Sequence, residues 1–324
     1  MFRKILFLTV ALALLLAGCA PASTSTPAPA PASPTVTLPT ATEAPTASAA
    51  ITLTDGLGRS VVLKEAAQRV VSLAPSNTEI LFAIGAGTQV VGRDEFSDYP
   101  AEAKSVASVG GSMGAYNLEA IVALHPDLVL AAKINNPELV KKLEDLGLTV
   151  YYLKNPATLE EMYGNLEIVG QLSGHDTAQL TDSLKARVAA VDAKIAPLSS
   201  RPAVFYEIDA TDATKPYTYG PGSFGDLLIT RAGGSNIGGE LKDAYPQMSL
   251  EQIVVSNPSI ILLGDAQWGV TVESVLARPG WDKIAALQSK SIFPVDDNLI
   301  SRPGPRLVDG LEALAKLFHP DLFK

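Results

Sequence analysis

The stretch Tyr116 to Ala132, YNLEAIVALHPDLVLAA, has a near copy at Gln247 to Asp265, QMSLEQIVVSNPSIILLGD. Laying NLEAIVALHPDLVL over SLEQIVVSNPSIIL matches a polar cap residue, a Leu, a Glu, an apolar helix face, a Pro and then an apolar run. A chain that repeats such a unit consists of two similar halves, and its fold must house both. In each copy the Asn117 or Ser249 side chain can accept a hydrogen bond from a free N–H of the first helical turn, and the Glu two positions on sits at the positive end of the helix dipole. Pro126 or Pro258 stops the helix. Leu128 to Leu130 and Ile260 to Leu263 are then continuously apolar, as in a strand covered on both faces. The repeated unit is a short helix, a tight turn and a buried parallel strand.

The halves agree beyond that unit: Gly85-Ala86-Gly87 parallels Ala232-Gly233-Gly234, and Val150 parallels Ile292. In the first half, Ile51 to Leu63 reads as a hairpin around Asp55-Gly56. Arg69 to Leu73 is a buried strand leading to Ser76-Asn-Thr-Glu79, a capping box that starts a helix from Asn77 to Ile84. Strands follow at Gln89 to Gly92 and Thr149 to Leu153, with helices at Pro137 to Leu146 and after Thr158-x-x-Glu161. From about Asp176 to Ala196 the residues Leu180, Leu184, Val188, Val191 and Ile195 give one apolar helix face along about 30 Å, a plausible rigid strut. The second half offers strands at Ala203 to Ile208 and Ser291 to Val295, and helices at Phe224 to Arg231, near Trp281 to Leu287, and at Leu307 to Phe318.

Strand and helix alternate throughout, which predicts two doubly wound α/β lobes joined by one long α-helix, with a ligand cleft between them at the carboxyl ends of the strands. The expected divisions are 51–173 for the first lobe, 174–198 for the connecting helix and 199–324 for the second lobe. Gly85-Ala86-Gly87 ends a helix instead of opening one, so it is a helix stop and not a dinucleotide fingerprint.

Ahead of the lobes, Arg3 and Lys4 precede an apolar run that closes on Leu16-Ala17-Gly18-Cys19. A charged start and a run too short to span read as an export signal over 1–18. The Leu-Ala-Gly-Cys ending resembles a bacterial lipoprotein signal, which implies lipidation of Cys19 and an exported chain anchored to the outer face of a bacterial membrane. Cys19 is the single cysteine, so no intramolecular disulfide is available. Residues 19–50 carry that Cys and then Pro, Ala, Ser and Thr with one charge, Glu43, a composition for a disordered tether. Removing the two cations of the signal takes the formal charge from −9 to −11, which argues against nucleic-acid binding.

The combination of Arg69-VVSLAPSNTEILFAIGAG, Phe96-Ser-Asp-Tyr-Pro100, Asn117-LEAIVALHPDLVLA, Tyr245-Pro-Gln-x-Ser-Leu-Glu-Gln and Ser301-Arg-Pro-Gly-Pro-Arg306 resembles the substrate-binding proteins of ABC importers for vitamin B12, ferric siderophores and haem. The likeness runs from about Ile51 to His319. It implies a monomer that captures a metal chelate, most often cobalamin or another corrinoid, and delivers it to a membrane permease and its ATPase; a siderophore or haem is the alternative cargo. It further implies that Glu119 and Glu251, one on each lobe, pair with arginines of the permease, a role compatible with complementing helix dipoles. By the same resemblance the ligand meets Phe96, Met113 and Ala132 in the first lobe and Tyr217, Tyr245, Asn298 and Arg302 in the second. Met113 and Ala132 depart from the large aromatics of cobalamin binders.

No resident metal or cofactor is expected, because none of His125, His175 and His319 falls at a cleft position; a phenolate from Tyr116, Tyr217 or Tyr219 is the remaining candidate iron ligand. An exported hydrolase would need a nucleophile with a base in reach. The chain is read as lacking a G-x-S-x-G elbow, a paired metal-ligand His motif and a catalytic Cys.

Overall fold

The computed structural model describes residues 50–324. The expected signal, Cys19 and nearly all of the tether lie outside the described residues. Where description begins, β1 (Ile51–Thr54) and β2 (Ser60–Leu63) pair antiparallel. Their turn is fixed by Asp55, whose Oδ1 accepts the Leu57 and Arg59 N–H groups at 2.9 Å each.

One four-stranded sheet is built from β3 (Val70–Ser72), β4 (Val90–Arg93), β5 (Leu128–Ala131) and β6 (Val150–Tyr152), in the order β4-β3-β5-β6. A second is built from β7 (Ala203–Glu207), β8 (Ser235–Asn236), β9 (Ile260–Leu263) and β10 (Ile292–Pro294), in the order β8-β7-β9-β10. All pairs in both sheets are parallel, so each sheet has the same strand plan and the sequence duplication is a duplication of topology. The repeated helices are Leu118–Ala123 and Leu250–Ser256, capped by Asn117 and Ser249 as the pattern predicts. Each copy then turns through a left-handed residue just before its proline, His125 and Asn257, both at φ 45. Asn and His are among the few residue types that tolerate this conformation, so the turn can meet the proline without glycine.

Alternation along the central strands sends neighbouring side chains to different cores. Val71, Val129 and Ala131 pack in an outer cluster of the first lobe, and Phe205, Ile261 and Leu263 in one of the second. Their neighbours Val70, Leu128 and Leu130, and Val204, Tyr206 and Leu262, meet in a single cluster that spans both lobes. The long helix Ala178–Ile195 supplies Leu184, Val188, Val191 and Ile195 to that cluster. Each such fully buried aliphatic side chain contributes about 1.5–3 kcal/mol. Arg187 ties this helix to the last one, Leu307–Phe318, through Asp309 at 2.6 Å and Glu312 at 2.6 and 2.9 Å. The architecture is two α/β lobes joined by one long helix.

Two local expectations need correction. The helix expected from Asn77 begins at Pro75, with Ala74 as its cap and no side-chain cap bond. Pro75 is suited to the first helical position, where its missing N–H costs nothing, so Ser76 lies inside the helix and Glu79 is released from capping. Similarly, the helix expected near Trp281 forms later, at Ala285–Ser289, because Trp281 is drawn into the outer core of the second lobe at 1 % exposure.

Candidate functional site

The carboxyl ends of both sheets carry the loops that hold the expected ligand residues. Phe96 follows β4 and is exposed. Asp94 organises this loop: its carboxylate accepts the Phe96 N–H at 2.9 Å and the Ser97 hydroxyl. Burial raises the Asp94 pKa. In the second lobe, Tyr217 and Tyr245 lie on two antiparallel loop segments joined by Thr218 N–H to Pro246 C=O at 2.9 Å, and both rings are exposed. Ala132, at the end of β5, shares a cavity of about 150 Å³ with Arg302, Ser76 and Asn155. Asn298 opens a short helix and donates to Asp296 at 2.8 Å. Met113 lies on a single 3-10 turn, Ser112–Gly114. A larger cavity of about 440 Å³ is walled by Glu79, Tyr99, Leu184, Arg187 and Arg306. It sits against the long helix, and none of the expected residues lines it.

Arg302 is engaged by three acceptors of the first lobe. Its Nη1 donates to Glu79 at 3.0 Å and to Asp98 at 2.7 Å, and its Nη2 to the Phe96 carbonyl at 3.3 Å. Arg306 donates through Nε and Nη2 to the same Glu79 carboxylate, the former at 2.9 Å, and its guanidinium lies 3.9 Å from the centre of the Tyr99 ring. Glu79 is 2 % exposed. Burial works to raise the Asp98 pKa, but the hydrogen bond and charge of Arg302 outweigh it and hold the carboxyl below its ordinary value. Two arginines of the second lobe thus grip one helix and one loop of the first.

Three acidic groups, Asp297, Glu207 and Asp265, lie together in the second lobe. Asp297 Oδ1 accepts the Tyr206 and Tyr219 hydroxyls at 2.8 and 2.9 Å. Both phenols are pushed well above their ordinary pKa, by burial first and then by that carboxylate. Beneath them Glu207, wholly buried, is held by Arg278 at 2.5 and 2.7 Å. Asp265 lies beside Glu207; it accepts the Ala210 N–H at 3.2 Å through Oδ2, while Oδ1 has no partner. Burial and then the Glu207 charge push the Asp265 pKa up to about 7.

These contacts narrow the candidate iron ligands. Tyr116 donates to the Leu73 carbonyl at 2.8 Å and accepts from Asn135 at 2.8 Å, and its pKa is pushed up to about 12 by burial and Asp94. Tyr219 is committed to Asp297. Tyr217 alone of the three has no hydrogen-bond partner for its hydroxyl among the described residues. Among the described residues no group of three or more His, Cys, Asp or Glu is arranged to hold a metal ion. His175 and His319 contact the carbonyls of Ser173 and Gly233, at 3.0 and 3.2 Å.

One reading of the letters was wrong: Gly110-Gly111-Ser112-Met113-Gly114 does spell G-x-S-x-G. The structure places Ser112 at the start of the 3-10 turn after a left-handed Gly111, with neither a preceding strand end nor a following α-helix. No histidine bonds to it among the described residues, so it is not a nucleophile elbow.

Glu119 and Glu251 occupy equivalent first-turn positions of the repeated helices, are exposed, and form no ion pair among the described residues. Glu79, Asp98 and Arg306 are the site residues that sequence reasoning missed. Arg302 and Arg306 do share the Ser301-Arg-Pro-Gly-Pro-Arg306 motif, the one available hint.

Residues 70–299 match the periplasmic binding protein family. The chain belongs to this family. It is a transport binding protein and not a catalyst. Over 279 residues it is 33 % identical to YvrC of Bacillus subtilis, described as an uncharacterized ABC transporter substrate-binding lipoprotein, covering 85 % of this chain and 87 % of that one. The solved vitamin B12 binding protein BtuF of Vibrio cholerae superposes with a TM-score of 0.65 at 27 % identity, covering 80 % and 98 %. The heme-binding protein RhuT of Roseiflexus superposes at 0.68 and 25 %, covering 79 % and 99 %.

Proposed function

We propose that this protein captures a corrinoid, cobalamin or a close relative, between its two lobes and hands it to the permease and ATPase of an ABC importer. The observation that carries the choice of ligand is the state of the cleft. Phe96 in the first lobe and Tyr217 and Tyr245 in the second supply exposed rings, while the guanidinium of Arg302 is already matched by Glu79 and Asp98. Such a cleft suits a flat macrocycle with an uncharged amide rim, and offers Arg302 to no carboxylate. In this reading Asn298 hydrogen-bonds that rim, and Met113 and Ala132 complete the contacts of the first lobe. The lobes act as units over 51–173 and 199–324, held by the link 174–198.

Delivery rests on Glu119 and Glu251 meeting permease arginines, and retention on a lipidated Cys19 at the end of the 19–50 tether, with the binding unit acting as a monomer. The similarity to BtuF supports the corrinoid, and that to RhuT keeps haem, and with it a ferric siderophore, as the second reading. The partnerless Tyr217 hydroxyl is the observation in favour of iron. Purified protein mixed in turn with cyanocobalamin, haemin and a ferric siderophore, followed by native mass spectrometry and absorbance, tests the choice. The expected result is one cyanocobalamin bound with the spectrum of the free vitamin, weakened by about 2–4 kcal/mol in Tyr217→Ala combined with Tyr245→Ala. Haem uptake with a tyrosinate spectrum, and no cobalamin bound, overturns it.

A further inference from the structure

We propose that Arg302 is a positioning residue: with Glu79, Asp98 and Arg306 it clamps the loop bearing Phe96 to the second lobe, and so sets the span of the cleft and the place of the Phe96 ring. The inference rests on the corrinoid reading only for its ligand measurement. The clamp joins groups 204 to 227 positions apart in sequence, and its hub, Glu79, is 2 % exposed. Removing one partner of such a buried pair leaves the other charge stranded, which makes the clamp costly to open.

Its donors are spent in one direction. Arg302 reaches the loop at two points, the Asp98 carboxylate and the Phe96 carbonyl, and Arg306 reaches it at a third by stacking on Tyr99. Inside the loop, Asp94 holds the Phe96 N–H, so Phe96 is fixed at its carbonyl by one lobe and at its amide by the other. Both guanidinium groups are matched by carboxylates: Arg302 by Glu79 and Asp98, and Arg306 by Glu79 with Asp296 at 4.0 Å. A ligand carboxylate could reach Arg302 only by displacing two carboxylates, one of them almost wholly buried.

Arg302→Gln keeps the Arg306 to Glu79 pair, and Asp98→Asn changes a half-exposed side chain. Amide hydrogen exchange of residues 94–106 in ligand-free protein is the first readout. Either variant should speed exchange in that segment by about tenfold, as expected for loss of one charge-assisted contact, with β7 and β9 unchanged. The second readout is cyanocobalamin affinity in a double-mutant cycle with Phe96→Ala. Arg302→Gln should weaken binding about tenfold in the parent and hardly at all once Phe96 is gone, because Arg302 acts through Phe96. Unchanged loop protection overturns the proposal, as does full additivity of the two substitutions, the signature of a guanidinium that touches ligand itself. If the parent protein ignores cyanocobalamin, the corrinoid reading falls and the exchange rates alone decide the clamp.

Discussion

Replacing Asp265 by Asn should convert a pH-dependent weakness into a constant. Asp265 is 4 % exposed, and burial with the Glu207 charge lifts its pKa from 3.8 to about 7. In the unfolded chain the same group ionises near 3.8, so between these values the folded state keeps a proton that the unfolded state has lost. A raised folded pKa contributes stability that is fully present below 3.8 and is lost as pH rises through about 7. At 1.36 kcal/mol per pKa unit the loss reaches about 4 kcal/mol above pH 7. The side chain of the Asp265→Asn variant can donate toward Glu207 as the protonated acid does, keep an oxygen for the Ala210 N–H, and never ionise. Urea unfolding followed by fluorescence of Trp268 and Trp281 from pH 4 to 8.5 measures both proteins. The stability of the variant minus that of the parent should rise by about 1.4 kcal/mol per pH unit from pH 4 to 7 and then level off. A difference that stays flat across this range refutes the assignment of the buried proton to Asp265.

Asp297→Ala should destabilise the protein by about 3 kcal/mol in the same unfolding assay, because it strands the buried hydroxyls of Tyr206 and Tyr219; a loss under about 1 kcal/mol would show that water replaces the carboxylate. Glu119→Arg with Glu251→Arg should leave ligand affinity within about threefold yet stop uptake by whole cells, since like charges would then meet at the permease, and normal uptake would remove both residues from docking. Cys19→Ala should move the protein from the membrane pellet to the soluble fraction on cell fractionation, as stable anchoring requires the lipidated cysteine; retention in the pellet would mean another anchor.

Local patterns carried what depends on local physics. The caps at Asn117 and Ser249, the stops at Pro126 and Pro258, and the apolar face of Ala178–Ile195 all follow from neighbours within a turn or two, and the structure has each where the periodicity placed it. Glu79 shows where such reasoning ends. Its spacing from Ser76 spells a capping box, but its partners lie 223 and 227 positions away, and nothing within a helical turn announces them. Arg302 has the same dependence: a motif arginine near a cleft looks free until Glu79 and Asp98 of the other lobe are in view. The short strand Ser235–Asn236 escaped notice because two residues are too few to show a period. Where the exposed rings sit was set by the resemblance more than by any pattern in the residues.

The apolar cluster shared by both sheets and the long helix joins the two lobes through one continuous core. Any movement of one lobe against the other would have to shear side chains packed at interior density, which makes that junction stiff. The rings of Phe96, Tyr217 and Tyr245 lie outside that cluster, on loops at its rim. A lineage can therefore exchange them one at a time without repacking the core that joins the lobes.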